Sequence, residues 1–92
     1  MKKIVAFILF AASLYGARIE PGSVACLREA WLRDLAVFLQ NKDGVSIVSY
    51  LKMERCFKML SETVTVLQEK GEFSQIFLKG RKYWLPSFWL TD

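Results

Sequence analysis

Apolar residues crowd the first seventeen positions, MKKIVAFILFAASLYGA, and sort into periodic patterns after them. Ile4 to Ala12 is unbroken by any polar side chain, Lys2 and Lys3 precede it, and small residues appear from Ser13 to Ala17. That order is the order of a secretory signal peptide. The run is shorter than the ~20 residues of a membrane-spanning helix. A core helix would carry polar residues at helical spacing, and this run has none before Ser13. The expected cut follows Gly16, making residues 1–16 the signal peptide and 17–92 a single small domain. A cut after Ser13 puts Ala11 at the third-last position but shortens the signal. Cys26, in Ser23-Val24-Ala25-Cys26, is poorly placed for lipidation, because Arg18, Glu20 and Pro21 part it from the apolar run.

Past Pro21-Gly22 the pattern takes on a helical period, with Ser23 as a candidate N-cap. Val24, Leu27, Trp31, Leu35, Phe38 and Leu39 recur at three and four, which predicts a helix from Val24 to about Gln40. Asn41-Lys42-Asp43-Gly44 ends it, with Gly44 suited to a left-handed C-terminal position. A second, longer pattern runs from about Ser46 to Lys70 through Tyr50, Met53, Phe57, Leu60, Val64 and Leu67. Asp43 or Ser46 is placed to cap it. The short loop predicts that the two helices pack antiparallel. Thr63-Val64-Thr65-Val66 alternates and is β-branched, which leaves a strand open for this end. Val45 to Leu51 is also readable as a separate short helix.

After Gly71 the period becomes two. Phe73 to Leu78 and Tyr83 to Leu85 flank Gly80-Arg81, which predicts a β-hairpin with Leu78 opposite Tyr83 and Phe77 opposite Trp84. Pro86 ends the pairing or marks an edge. The tail, Ser87 to Asp92, is apolar for a terminus. It either folds back as core or is offered to a partner. The expected fold is therefore α+β: two antiparallel helices, the second long, then a C-terminal hairpin and an aromatic tail, all after the signal.

Composition sharpens this picture in two ways. The chain of 92 residues carries 13 Lys and Arg against 9 Asp and Glu. Lys2 and Lys3 leave with the signal, so the mature balance falls from +4 to +2, too little to argue for nucleic acid or a membrane surface. Two cysteines, Cys26 and Cys56, remain. In an oxidising compartment they pair. Closing a loop of about 30 residues stabilises by ~3–4 kcal/mol in the chain-entropy model. On the helical reading this is a helix-to-helix staple.

Candidate chemistry is sparse. Histidine is absent, which removes Ser-His and Cys-His nucleophiles and the commonest metal ligand. No glycine-rich phosphate loop and no Cys-x-x-Cys occur. The carboxylates fall on expected solvent faces rather than in apolar pairs. The expectation is therefore no catalytic residue, no metal and no cofactor.

Helix, short turn, helix, then a hairpin with a basic tip is the order of a winged-helix domain. Leu67 to Phe73 followed by Ile76 to Trp84 resembles the end of a recognition helix running into a wing. That resemblance covers about 45 residues of the chain and carries no specific motif. It implies phosphate contacts from Lys79, Arg81 and Lys82, and it requires the first residues to remain attached in the cytosol.

The leading expectation is a small exported interaction protein, an accessory subunit, adaptor or inhibitor. It would act in the periplasm or outside the cell on a protein partner of the envelope. Trp84, Phe88 and Trp89 are its candidate contact residues, since aromatics are enriched at binding hot spots.

Overall fold

The computed structural model describes residues 15–91; residues 1–14 of the expected signal peptide lie outside the described residues. In chain order the elements are β1 (Tyr15–Ile19), β2 (Val24–Cys26), α1 (Glu29–Gln40), α2 (Gly44–Lys52) and β3 (Cys56–Lys58). They continue with β4 (Thr63–Lys70), β5 (Phe73–Leu78), β6 (Arg81–Pro86), a 3-10 turn (Ser87–Trp89) and β7 (Leu90–Thr91). The strands form one sheet in the order β3-β2-β6-β5-β4-β1-β7. Every pairing in it is antiparallel.

This order requires a curled sheet. β1 and β2 lie four places apart, roughly 19 Å in a flat sheet. Yet a single turn joins them, with the Ser23 amide donating to the Glu20 carbonyl at 3.2 Å. A β-turn spans under about 7 Å. Pro21 and Gly22 occupy its centre, and Gly22 sits at φ +86°, the left-handed value a type II turn needs at that place. Two further bonds prolong neighbouring ladders on either side of that turn: Met59 amide to Ser23 carbonyl at 2.7 Å beyond the β2–β3 pairs, and Ile19 amide to Glu62 carbonyl at 2.9 Å beyond the β1–β4 pairs. A bulge at Leu67, between Val66↔Ile76 and Gln68↔Gln75, adds local bend and twist.

Curling creates two cores, one on each face. Inside the curl, Ala17, Ile19, Ala25, Met59, Val64, Val66, Ile76 and Leu85 pack together. On the outer face the helices cover Val24, Cys26, Cys56 and Trp84 with Leu32 and Leu35. The three residues of β2 are all buried, because each face of that strand meets a core. Along β4, Val64 and Val66 are buried while Thr63 and Thr65 are exposed, the period-two signature of a strand covered on one side.

These elements correct the helix-then-hairpin reading. Val24–Cys26 is strand, and α1 begins only at Glu29. Ser23 is not a helix cap; it is buried in the β1–β2 turn, its hydroxyl donating to the Glu20 carbonyl. The long second helix does not exist. α2 stops at Lys52, and β3 and β4 occupy the rest of that span. The chain reverses at Glu54, whose φ of +59° is unusual for a residue with a Cβ and is announced by no glycine or proline. The left-handed residue after α1 is Lys42, φ +56°, rather than Gly44, which opens α2. Asp43 caps α2, its carboxylate accepting from the Ser46 amide at 3.1 Å and the Ser46 hydroxyl at 2.6 Å. The hairpin of β5 and β6 is present with its turn moved by one residue and its cross-strand partners therefore by two. Its turn is Lys79-Gly80, so Leu78 faces Arg81 and Phe77 faces Lys82.

The staple joins the two cysteines named from sequence. Cys26 and Cys56 are disulfide-bonded. The bond links adjacent strands, not helices, since the two residues are register partners on β2 and β3.

Candidate docking groove

Where β6 ends, the backbone is held tightly. Pro86 is the register partner of Phe73, and the next amide, Ser87, donates to the Glu72 carbonyl at 2.8 Å. The Ser87 hydroxyl meets that of Ser74 at 2.7 Å, and Ser74 is fully buried. These bonds pin the 3-10 turn to the β4–β5 turn. Trp89 then folds inward and packs against both cores, while the Glu20 amide donates to its carbonyl at 2.9 Å. Phe88 is left pointing outward, 72% exposed. Its ring meets that of Trp89 edge-on at 5.2 Å between centroids.

Phe88 stands on the rim of an open groove of about 390 Å³. Ala36, Leu39 and Gln40 of α1 form one wall; Glu72, Phe73 and Pro86 form the other. A neighbouring depression of about 310 Å³ shares Glu72 and Phe73 and adds Arg33, Lys70 and Gly71. The guanidinium of Arg33 lies over the Phe73 ring at 5.3 Å, a cation–π contact. Glu29 ties the two sides together, accepting from Arg33 at 2.7 Å and Lys70 at 3.0 Å. Lys70 first, and then Arg33, hold its carboxyl below the ordinary 4.5. The groove is therefore walled by a helix and a hairpin that a shared carboxylate clamps together.

The three aromatics named from sequence divide by position. Trp84 lies in the helix-side core with the disulfide, 9% exposed, and Cys26 is its register partner. Trp89 is half-buried beneath the turn, and Phe88 is on the surface. Lys79, Arg81 and Lys82 are exposed at the hairpin tip, and Lys79 pairs with Glu62 at 3.4 Å. Sequence reasoning missed the groove's helical wall. The helical spacing places Leu39 in the apolar stripe of α1, yet it is 41% exposed. The signal available was two successive apolar residues, Phe38 and Leu39, of which one face of a helix buries only one.

A second aromatic cluster lies over α2. Arg55 reaches the rings of Trp31 at 5.1 Å and Tyr50 at 5.0 Å, and Arg28 lies over Trp31 at 4.8 Å. The Tyr50 hydroxyl donates to Asp34 at 2.6 Å. That carboxylate, aided by burial and opposed by Arg55, raises the phenol above its ordinary 10.0. Phe38 closes the cluster edge-on against Tyr50. These contacts join the two helices to each other.

Among the described residues no group of three or more His, Cys, Asp or Glu side chains could hold a metal ion. No described helix is long and apolar enough to cross a membrane. Comparison with family models, curated proteins and solved structures returned no match to this chain.

Proposed function

We propose that this chain is a small exported, non-catalytic interaction protein that seats an apolar side chain of a partner protein beside Phe88. The carrying observation is Phe88 itself: a large aromatic, 72% exposed, fixed by a pinned turn on the rim of an apolar groove. Exposed apolar groups clustered around a concavity mark interaction sites. A turn already held in place loses little freedom on binding. Export is supported by the basic-then-apolar start of the sequence and by the Cys26–Cys56 bond, which is compatible with an oxidising compartment. The periplasm or the extracellular space is then the working location, and an adaptor, accessory subunit or inhibitor is the role.

The nucleic-acid alternative is less well supported. Its winged-helix scaffold is replaced by a curled seven-stranded sheet, and the expected recognition helix is strand.

The test is capture from the exported fraction of the native host with three baits: the disulfide-bonded protein, Phe88→Asp and Val45→Asp. Val45 is 84% exposed and absent from the groove, so it controls for general stickiness. One discrete partner held by wild type and by Val45→Asp, and lost with Phe88→Asp, is the expected result. Equal capture by all three, or by none, contradicts the proposal.

A further inference from the structure

We propose that the exported chain is cut after Ser13, so that the mature protein begins at Leu14 with β1 whole. This rests on the export reading above and assigns its processing site.

Tyr15 and Gly16, which the first expectation places inside the signal, are structural parts of the sheet. Tyr15 is the register partner of Val66, and Gly16 that of Thr65. The Tyr15 ring packs against the inner core, and its hydroxyl donates to the Glu69 carboxylate across β4. A cut after Gly16 would remove both rungs. It would also leave Ala17, a residue of the inner core, as the chain terminus. Finally, it would extend the open edge of β4 from Leu67 back to Thr65, and bare edges invite pairing with other chains.

Ahead of β1 the sequence supplies one bond with small residues at both of the positions that are read. Signal peptidases read small residues at the last and third-last positions. A cut after Ser13 presents Ser13 and Ala11. A cut after Ala12 puts Phe10 in the third-last place, and a cut after Leu14 puts Leu14 in the last. The apolar middle, Ile4 to Ala12, is nine residues long, within the ~7–15 of such segments, while the whole signal, ending at Ser13, is slightly shorter than the usual ~15–30.

The experiment expresses the chain from Met1 in an exporting bacterium and takes the intact mass and N-terminal sequence of the exported product. Two variants accompany it. Ser13→Leu spoils the proposed bond and is not read by a peptidase cutting after Gly16. Gly16→Leu spoils the rival bond, and the open space around Gly16, whose nearest atom to an added Cβ is 4.0 Å away, admits the side chain. A Leu14 start, lost in Ser13→Leu and kept in Gly16→Leu, is expected. An Ala17 start, or any other processed start, overturns the assigned position and leaves export standing. An intact Met1 in the wild type overturns export as well. As a folding check, a chain starting at Ala17 should melt at least ~4 °C below one starting at Leu14; equal melting overturns the structural argument.

Discussion

Cys26 and Cys56 face each other across β2 and β3 as register partners, and their sulfurs are bonded. On the other side of β2, Trp84 is the partner of Cys26. The bond therefore anchors the short strand β3 at the end of the sheet and forms part of the floor on which α1 rests. Alkylation of the unreduced exported protein should label no thiol. Cys56→Ser should lower stability by ~2–5 kcal/mol. Two labelled cysteines in the native protein would remove both the staple and the compartment argument built on it.

Phe88 and Trp89 are neighbours with opposite roles. Phe88→Ala should leave stability within ~0.5 kcal/mol, as for most exposed positions, while abolishing partner capture. Trp89→Ala removes a ring shared by both cores and should cost about 2–3 kcal/mol, below the full value for a completely buried aromatic. Urea unfolding of the two variants checks this. Deleting the whole tail mixes the two effects, because β7 also pairs with β1 through Arg18↔Thr91 and Ile19↔Leu90.

The β5–β6 turn places Lys79 at φ +50° and Gly80 at φ +83°. Two positive values in a two-residue loop favour Asn-Gly. Lys79→Asn should raise stability by roughly 0.5–1 kcal/mol, since a left-handed lysine is strained by an amount of that order. The Lys79–Glu62 pair it gives up is largely exposed and is worth ~0–1 kcal/mol. Thermal melting decides the sign.

Acid should loosen both the clamp and the cap. Glu29 titrates below its ordinary 4.5 because of Lys70 and then Arg33, and Asp43 titrates below its ordinary 3.8 because of Ser46. Folded values below unfolded ones mean that both contributions are fully present above about pH 4.5 and are lost as pH falls through the folded values. The urea midpoint should stay flat down to that point and then drop. Glu29→Gln should remove part of the drop, and Asp43→Asn, which keeps a capping oxygen, should remove another part. Tyr50 has the opposite sign. Its raised phenol contributes below pH 10 and ceases to as pH rises through the folded value, and Tyr50→Phe should abolish that alkaline limb.

What the sequence reveals depends on whether local pattern and tertiary contact agree. The stripe through Trp31, Leu35 and Phe38 is helical in both, so α1 is legible. The β5–β6 hairpin is legible because alternation and Gly80 coincide, and its register slips because Lys79, not Arg81, takes the other left-handed position. Tyr50, Met53, Phe57, Leu60 and Val64 fit a helical period by coincidence. Met53 and Leu60 are in fact 54% and 75% exposed, so no face unites them. β1 is hidden because Tyr15 and Gly16 merge into the apolar start. The groove is invisible in one dimension, as it joins Leu39 of α1 to Phe73 and Phe88 far along the chain. Phe88 itself was legible as an aromatic in an otherwise unassigned tail.

The most direct measurement of the central claim is site-specific photocrosslinking in exporting cells of the native host. A photoreactive residue replaces Phe88 in one strain and Val45 in another, and the adducts are sized and identified. The account predicts one discrete adduct with another exported protein from position 88 and none from position 45. No adduct from position 88, the same adduct from both positions, or an adduct only with a second copy of this chain would contradict it.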